Sequence, residues 1–213
     1  MTTTAKGRAR QQALLDLLDR YPAATTDQLA ALLWRGDQRL ARRHLLAAVR
    51  AHLVRRVPHP LYRNGAYVYS RSGRSTSHSQ KVLHNLAAVD FHLAVTRSLG
   101  RYGARTVPEL PWAPWLIPDQ TVLWRESVWA VEHHLSGAFS HGPDYQRFME
   151  EEVYTLCHWW RPGLRLGLLV ITAPVMLDHV RAQLRRHDLS GLTWRIGTRE
   201  NVLRDPGPSL KLS

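Results

Sequence analysis

Two groups of residues in this chain have the types and spacing to do chemistry. The first is Gln38, Arg39, Arg42 and Arg43, followed by Arg55, Arg56 and Arg63. Residues three and four apart share one face of a helix, and a guanidinium's planar donors match phosphate oxygens or the edge of guanine. The second is Asp119 with Glu132 and His134. On a strand, alternate side chains share a face, so Glu132 and His134 project together and His133 projects the other way. A carboxylate at a strand start opposite Glu132 could share a divalent cation such as Mg2+ with it. The arginines therefore point to a polyanion, and the carboxylates to metal-assisted hydrolysis.

The elements that must position the arginines follow from hydrophobic periodicity. Residues 9–21 place Leu14, Leu15, Leu17 and Leu18 on one helical stripe that stops at Tyr21-Pro22. Thr25-Thr26-Asp27 is an N-cap cluster for a second helix over 28–34. After Arg35-Gly36, Asp37 caps a third helix over 38–52, with Leu40, Leu45, Leu46 and Val49 expected in the core. The exposed start of that helix carries the arginines. A stretch over 53–59 is followed by one over 61–69 that contains Asn64-Gly65 between β-rich flanks, a hairpin signal because both residues tolerate positive φ. Pro58 and Pro60 restrict the incoming strand to a sheet edge. Three helices and a hairpin are the order of a winged helix-turn-helix, with Arg55, Arg56 and Arg63 on the wing.

Charge agrees with that order. Residues 1–81 hold 15 Lys and Arg against four Asp and no Glu, so they carry nearly all of the net +12 of the 213-residue chain. One strongly basic domain beside a near-neutral remainder is the electrostatic footprint of a nucleic-acid partner. The alternation of elements implies domains over 1–73 and 84–200, a linker over 74–83 taken from the Ser-, Gly- and basic-rich stretch 70–81, and a tail over 201–213. In the second domain, a helix over 84–99 precedes strands over 119–124 and 127–135. A helix over 145–160 follows, then a fully apolar strand over 164–172, a helix from Pro174 to about 187, and a last strand over 192–196. The expected fold class is α+β with two domains, the second an α/β domain around a mixed sheet.

Other signals are bland. A lone Cys157 excludes an internal disulfide or a Cys-rich zinc site and fits a reducing cytoplasm. No apolar run is long enough to cross a membrane. Glu150-Glu151-Glu152 reads as a solvated helix side, and Trp112, Trp115, Trp124, Trp129, Trp159 and Trp160 as core or interface. No phosphate-binding glycine loop or nucleophile elbow is present.

Pro118-Asp119 followed by Glu132-His133-His134 resembles the PD-(D/E)xK nuclease core, which implies a restriction-endonuclease-like fold. That family ends its motif in a lysine that activates water; here the position is His134, mostly neutral at pH 7. More broadly, the chain resembles the replication-relaxation family of plasmid and mobile-element proteins. The resemblance runs through RRHLLAAVRAHLVRR at 42–56, VYSRSG at 68–73, HNLAAVDFHLAV at 84–95, and PDQ to VWAVEHHLSG from 118 to 137. It implies a winged helix joined to a nuclease-like domain with roles around plasmid replication.

The resulting expectation is a double-stranded-DNA-binding regulator of replication or transcription, not an enzyme and without a cofactor, whose second domain forms a homodimer or recruits a partner. The first rival is a Mg2+-dependent nuclease using Asp119 and Glu132. The second is an assembly factor whose winged helix docks protein.

Overall fold

A computed structural model describes residues 5–61, 66–73, 79–110, 112, 117–134, 165–186 and 192–211. The chain divides into two compact units, Met1–Leu93 and Ala94–Ser213. Its secondary structure is mixed α and β, with one small antiparallel sheet and one larger mixed sheet. No helix among the described residues is long and apolar enough to cross a membrane.

In the first unit the order is α1 (Ala5–Arg20), β1 (Ala24–Thr25), α2 (Thr26–Leu33), α3 (Gln38–Arg50), β2 (Val54–Pro58) and β3 (Tyr67–Arg71). The leucine stripe of α1 buries Leu14, Leu15 and Leu18 against Leu29 of α2 and Leu45 of α3. Helix α2 starts at a capping box: Thr25 Oγ1 accepts from the Gln28 amide at 3.2 Å, and Gln28 Oε1 accepts from the Thr25 amide at 2.9 Å. Helix α3 starts where Asp37 accepts from the Leu40 amide at 2.9 Å. Strand β2 is an edge, as its proline requires, in a sheet ordered β1-β3-β2. The two-residue β1 pairs with β3 and was not foreseen; two residues carry no readable alternation.

The next helix, α4 (Ser79–Leu99), begins inside the expected linker. It is apolar around its circumference, with Leu86, Ala87, Ala88, Val89 and Phe91 all buried, as a helix covered on several sides must be. Ala88 and Val89 join the first unit's main core, while Val82 and Leu86 pack with Ala23 and Val68. The unit boundary therefore falls within α4, after Leu93, and not at 74–83.

The second unit continues with β4 (Arg105–Pro108), β5 (Gln120–Trp124), β6 (Ser127–His134), β7 (Arg165–Thr172), α5 (Leu177–Leu184), β8 (Thr193–Thr198) and α6 (Arg199–Arg204). The sheet runs β4-β5-β6-β7-β8; the first three strands are antiparallel, and β6, β7 and β8 are parallel. β7 is buried from Leu166 to Thr172, as its unbroken apolar run predicts for a doubly covered strand. Ala130, Leu168 and Val170 form a core with Val180 and Leu184 of α5.

Several expectations need correction. Leu46 is not a core residue but 40% exposed. β4 lies between the expected helix over 84–99 and the expected strand over 119–124, where no element was expected; at four residues it is too short to read from sequence. The Pro174 helix opens as a 3-10 turn, Pro174–Met176, before α5. Within the expected tail over 201–213, Val202 and Leu210 are buried, and Val202 fills the space that a side chain at Gly197 would need. The expected helix over 145–160, with Cys157 and the glutamates at 150–152, lies outside the described residues.

Candidate nucleic-acid interface

The turn between α2 and α3 is built by two successive left-handed residues, Arg35 (φ 53°) and Gly36 (φ 86°). Gly36 is suited to that geometry because it has no Cβ to strain. The Gly36 and Trp34 amides both donate to the Ala30 carbonyl at 2.9 Å, closing α2. The buried Trp34 ring stacks on His44 of α3, with centroids 5.6 Å apart and planes 8° from parallel. That stack fixes α3 against the turn. Helix α2 is held from its other side by Gln28, whose amide nitrogen donates to the Leu86 carbonyl at 2.9 Å and to Asp90 Oδ1 at 2.8 Å. With its oxygen engaged by Thr25, the buried amide is satisfied at both ends.

Helix α3 buries Ala41, Leu45 and Ala48 and exposes Gln38, Arg39, Arg42, Arg43, Leu46, Ala47 and Arg50. Arg42 donates to Gln38 Oε1 at 3.4 Å. Among the described residues, none of Arg39, Arg42, Arg43 and Arg50 is in an ion pair. Their field is felt locally: His44 is held below its ordinary pKa by burial first, then by Arg43 and by Arg10 of α1. Arg10 and Arg50 were not singled out from sequence. The spacing 39, 43, 46, 50 was the signal for Arg50; no sequence signal brings Arg10 toward α3.

The hairpin supplies further arginines. Arg55 and Arg56 are both exposed on β2, but as neighbours on a strand they project from opposite faces. Arg56 lies over the Tyr67 ring, 4.2 Å from its centroid, while Arg55 shares the face of Val57. The two therefore do not act as one cluster. The hairpin is anchored by the His59 amide, which donates to the Ala66 carbonyl at 3.0 Å. His59 Nδ1 accepts from the Leu61 amide at 3.1 Å, which requires an unprotonated Nδ1, and burial lowers the ring's pKa in the same direction. Arg63 and the Asn64-Gly65 turn lie outside the described residues.

In the second unit, Asp119 immediately precedes β5, and the β5–β6 register sets Gln120 opposite Val131. Asp119 Oδ2 accepts from the His133 backbone amide at 2.7 Å. Glu132, His133 and His134 are all buried. Glu132 and His134 share the face of Ala130, whereas His133 turns to the other side, its Nε2 lying 3.0 Å from Gln120 Oε1. Among the described residues, no group of three His, Cys, Asp or Glu side chains is placed to hold a metal ion. The structure thus brings Asp119 onto the strand carrying Glu132 and His134 without gathering the three into a ligand set. No family model, curated protein or solved structure matches this chain.

Proposed function

We propose that the first unit is a winged helix-turn-helix that binds double-stranded DNA, with α3 in the major groove and the β2–β3 hairpin as its wing. The order α1-β1-α2-α3-β2-β3, with β3 central in the small sheet, supports this reading. The observation that carries it is the exposed face of α3: Arg39, Arg42, Arg43 and Arg50 with no acidic partner among the described residues. Guanidinium groups so placed find their counter-charge in phosphates and their bidentate acceptors on guanine. In this reading the protein is a DNA-bound regulator, with the role in plasmid or mobile-element replication or transcription that a resemblance to replication-relaxation proteins implies.

The second unit, in this proposal, is restriction-endonuclease-like in topology and serves dimerisation or partner binding without catalysis. The use of the Asp119 carboxylate on a backbone amide favours a structural role for it. The test of the whole reading is fluorescence anisotropy on duplex DNA over a salt series. Affinity should fall steeply and linearly in log salt, and Arg42→Ala or Arg43→Ala should weaken the specific complex by about 1–3 kcal/mol. Affinity that is insensitive to salt and to both substitutions would sink it.

A further inference from the structure

Leucine 46 does not belong to the core of the helix that carries it. Only Leu46 and Leu61 are exposed large hydrophobic residues among the described residues of the first unit. Successive residues of an α-helix are about 100° apart. Leu46 therefore falls within about 20° of Arg39, and it lies between Arg39 and Arg50 along the same line. Ala47, also exposed, flanks it. An apolar pair in the middle of an arginine stripe is a poor solvated surface and a poor match for an apolar protein patch, since docking one would bury unpaired guanidinium groups.

Resting on the DNA reading above, we propose that Leu46, with Ala47 beside it, reads sequence by packing on the C5-methyl group of a thymine in the major groove. That methyl is the one apolar feature displayed there, and it distinguishes A·T from T·A and from both G·C orientations. Along the helix Leu46 is about 4.5 Å from Arg43 and about 6 Å from Arg42. With base pairs spaced about 3.4 Å apart, the thymine lies one to two steps from the guanine those arginines contact. The arginines hold the helix in the groove, and Leu46 selects the base next to their guanine.

The experiment uses the full chain. A binding site is first selected from randomised duplexes, and each thymine in it is then replaced singly by deoxyuridine, which lacks only the methyl. Burying one methyl is equivalent to about a fourfold change in affinity. The expected result is one thymine, within two base pairs of a guanine, whose replacement weakens wild type by about that factor. In Leu46→Ala that dependence should vanish, and sites selected anew should lose preference at that position while keeping the guanine. A deoxyuridine penalty that persists in Leu46→Ala, or no penalty at any thymine, overturns the inference and leaves the DNA reading standing. Loss of self-association in sedimentation by Leu46→Ala, with site preference unchanged, would also overturn it by making the stripe a protein contact. Failure to enrich any duplex, with no salt dependence, overturns the DNA reading itself.

Discussion

Adding a single carbon at Gly167 should unfold the second unit's sheet more readily than any change at its surface. A Cβ at that position would overlap Cδ2 and Cε3 of Trp129 and come 2.6 Å from Cζ3. Carbon atoms in good contact lie about 3.5–4.0 Å apart, so the indole ring would have to retreat by about 1 Å. Trp129 is fully buried on β6, and the register sets it directly opposite Gly167 of β7. Overpacking a dense core costs about 1–3 kcal/mol, and a large, fully buried ring belongs at the upper end. Gly167→Ala should therefore cost about 3 kcal/mol, equivalent to roughly 10 °C in the melting temperature of a unit this size. Far-UV circular dichroism through a thermal ramp is the assay, because it does not depend on the indole being tested. Trp129→Leu should cost a few kcal/mol through the cavity it leaves. The double variant should be more stable than the two losses added together by more than about 1 kcal/mol. A melting temperature for Gly167→Ala within a degree of wild type, or strict additivity, refutes the contact.

The remaining predictions concern charge and chemistry. His92, beside Tyr21, is pushed down to about 4 by burial first and by Arg20 second, so its folded form resists protonation. The first unit should be at full stability above about pH 6.5, lose about 2–3 kcal/mol as pH falls to 4, and change no further from this group below that; chemical denaturation at stepped pH should show the slope, and His92→Phe should flatten it. Arg43→Gln should raise the first unit's melting temperature at low salt while weakening DNA binding, and the stability gain should disappear near about 1 M salt. Arg55→Ala should weaken all duplexes alike and lower the salt slope by about one unit, whereas a sequence-selective defect would mean that this strand reads bases. Plasmid DNA should remain uncut with magnesium or manganese, and Glu132→Ala should bind DNA as wild type does; wild-type nicking abolished by Glu132→Ala or Asp119→Ala would establish a nuclease instead.

Legibility from sequence followed the range of the interactions involved. Helix α3 and its Asp37 cap were readable because a cap, an apolar period and a following turn lie within 15 neighbouring residues. The antiparallel β5–β6 pair was readable from the short Arg125-Glu126 connection, which fixes Trp124 opposite Ser127. Leu46 was misread because periodicity counts every leucine as core, although Leu46 lies about 100° round the helix from Leu45, on the side of Arg39 and Arg50. The boundary within α4 depends on contacts that sequence does not mark, such as the bond from Gln28 to Asp90, 62 residues away. Asp119 could be placed beside Glu132 by register, but not its bond to the His133 amide, since an acceptor on a backbone N–H leaves no residue-type signature. The packed C-terminal segment escaped for a related reason. Gly197, just past the end of the expected strand over 192–196, lacks the side chain that would occupy the place of Val202.

A basic composition alone would not single out α3, because arginines on a surface can be neutralised by carboxylates interspersed among them. The four aspartates among residues 1–81 do not serve that purpose here. Asp37 is spent on the cap of α3 itself, accepting from the Leu40 amide. Asp19 pairs with Arg71 of β3 at 3.0 Å, and Asp16 accepts from Gln12 one turn earlier on α1. Asp27 occupies the first turn of α2, where a negative charge meets the positive end of the helix dipole. None lies on the α3 face that carries Arg39, Arg42, Arg43 and Arg50. Repulsion among those arginines costs stability; the pKa of His44, lowered by burial first, is lowered further by Arg43 and by Arg10 of α1. A fold that keeps its acids off the exposed face of one helix, and packs that helix through the Trp34–His44 stack, carries this cost at a place where a polyanion would relieve it.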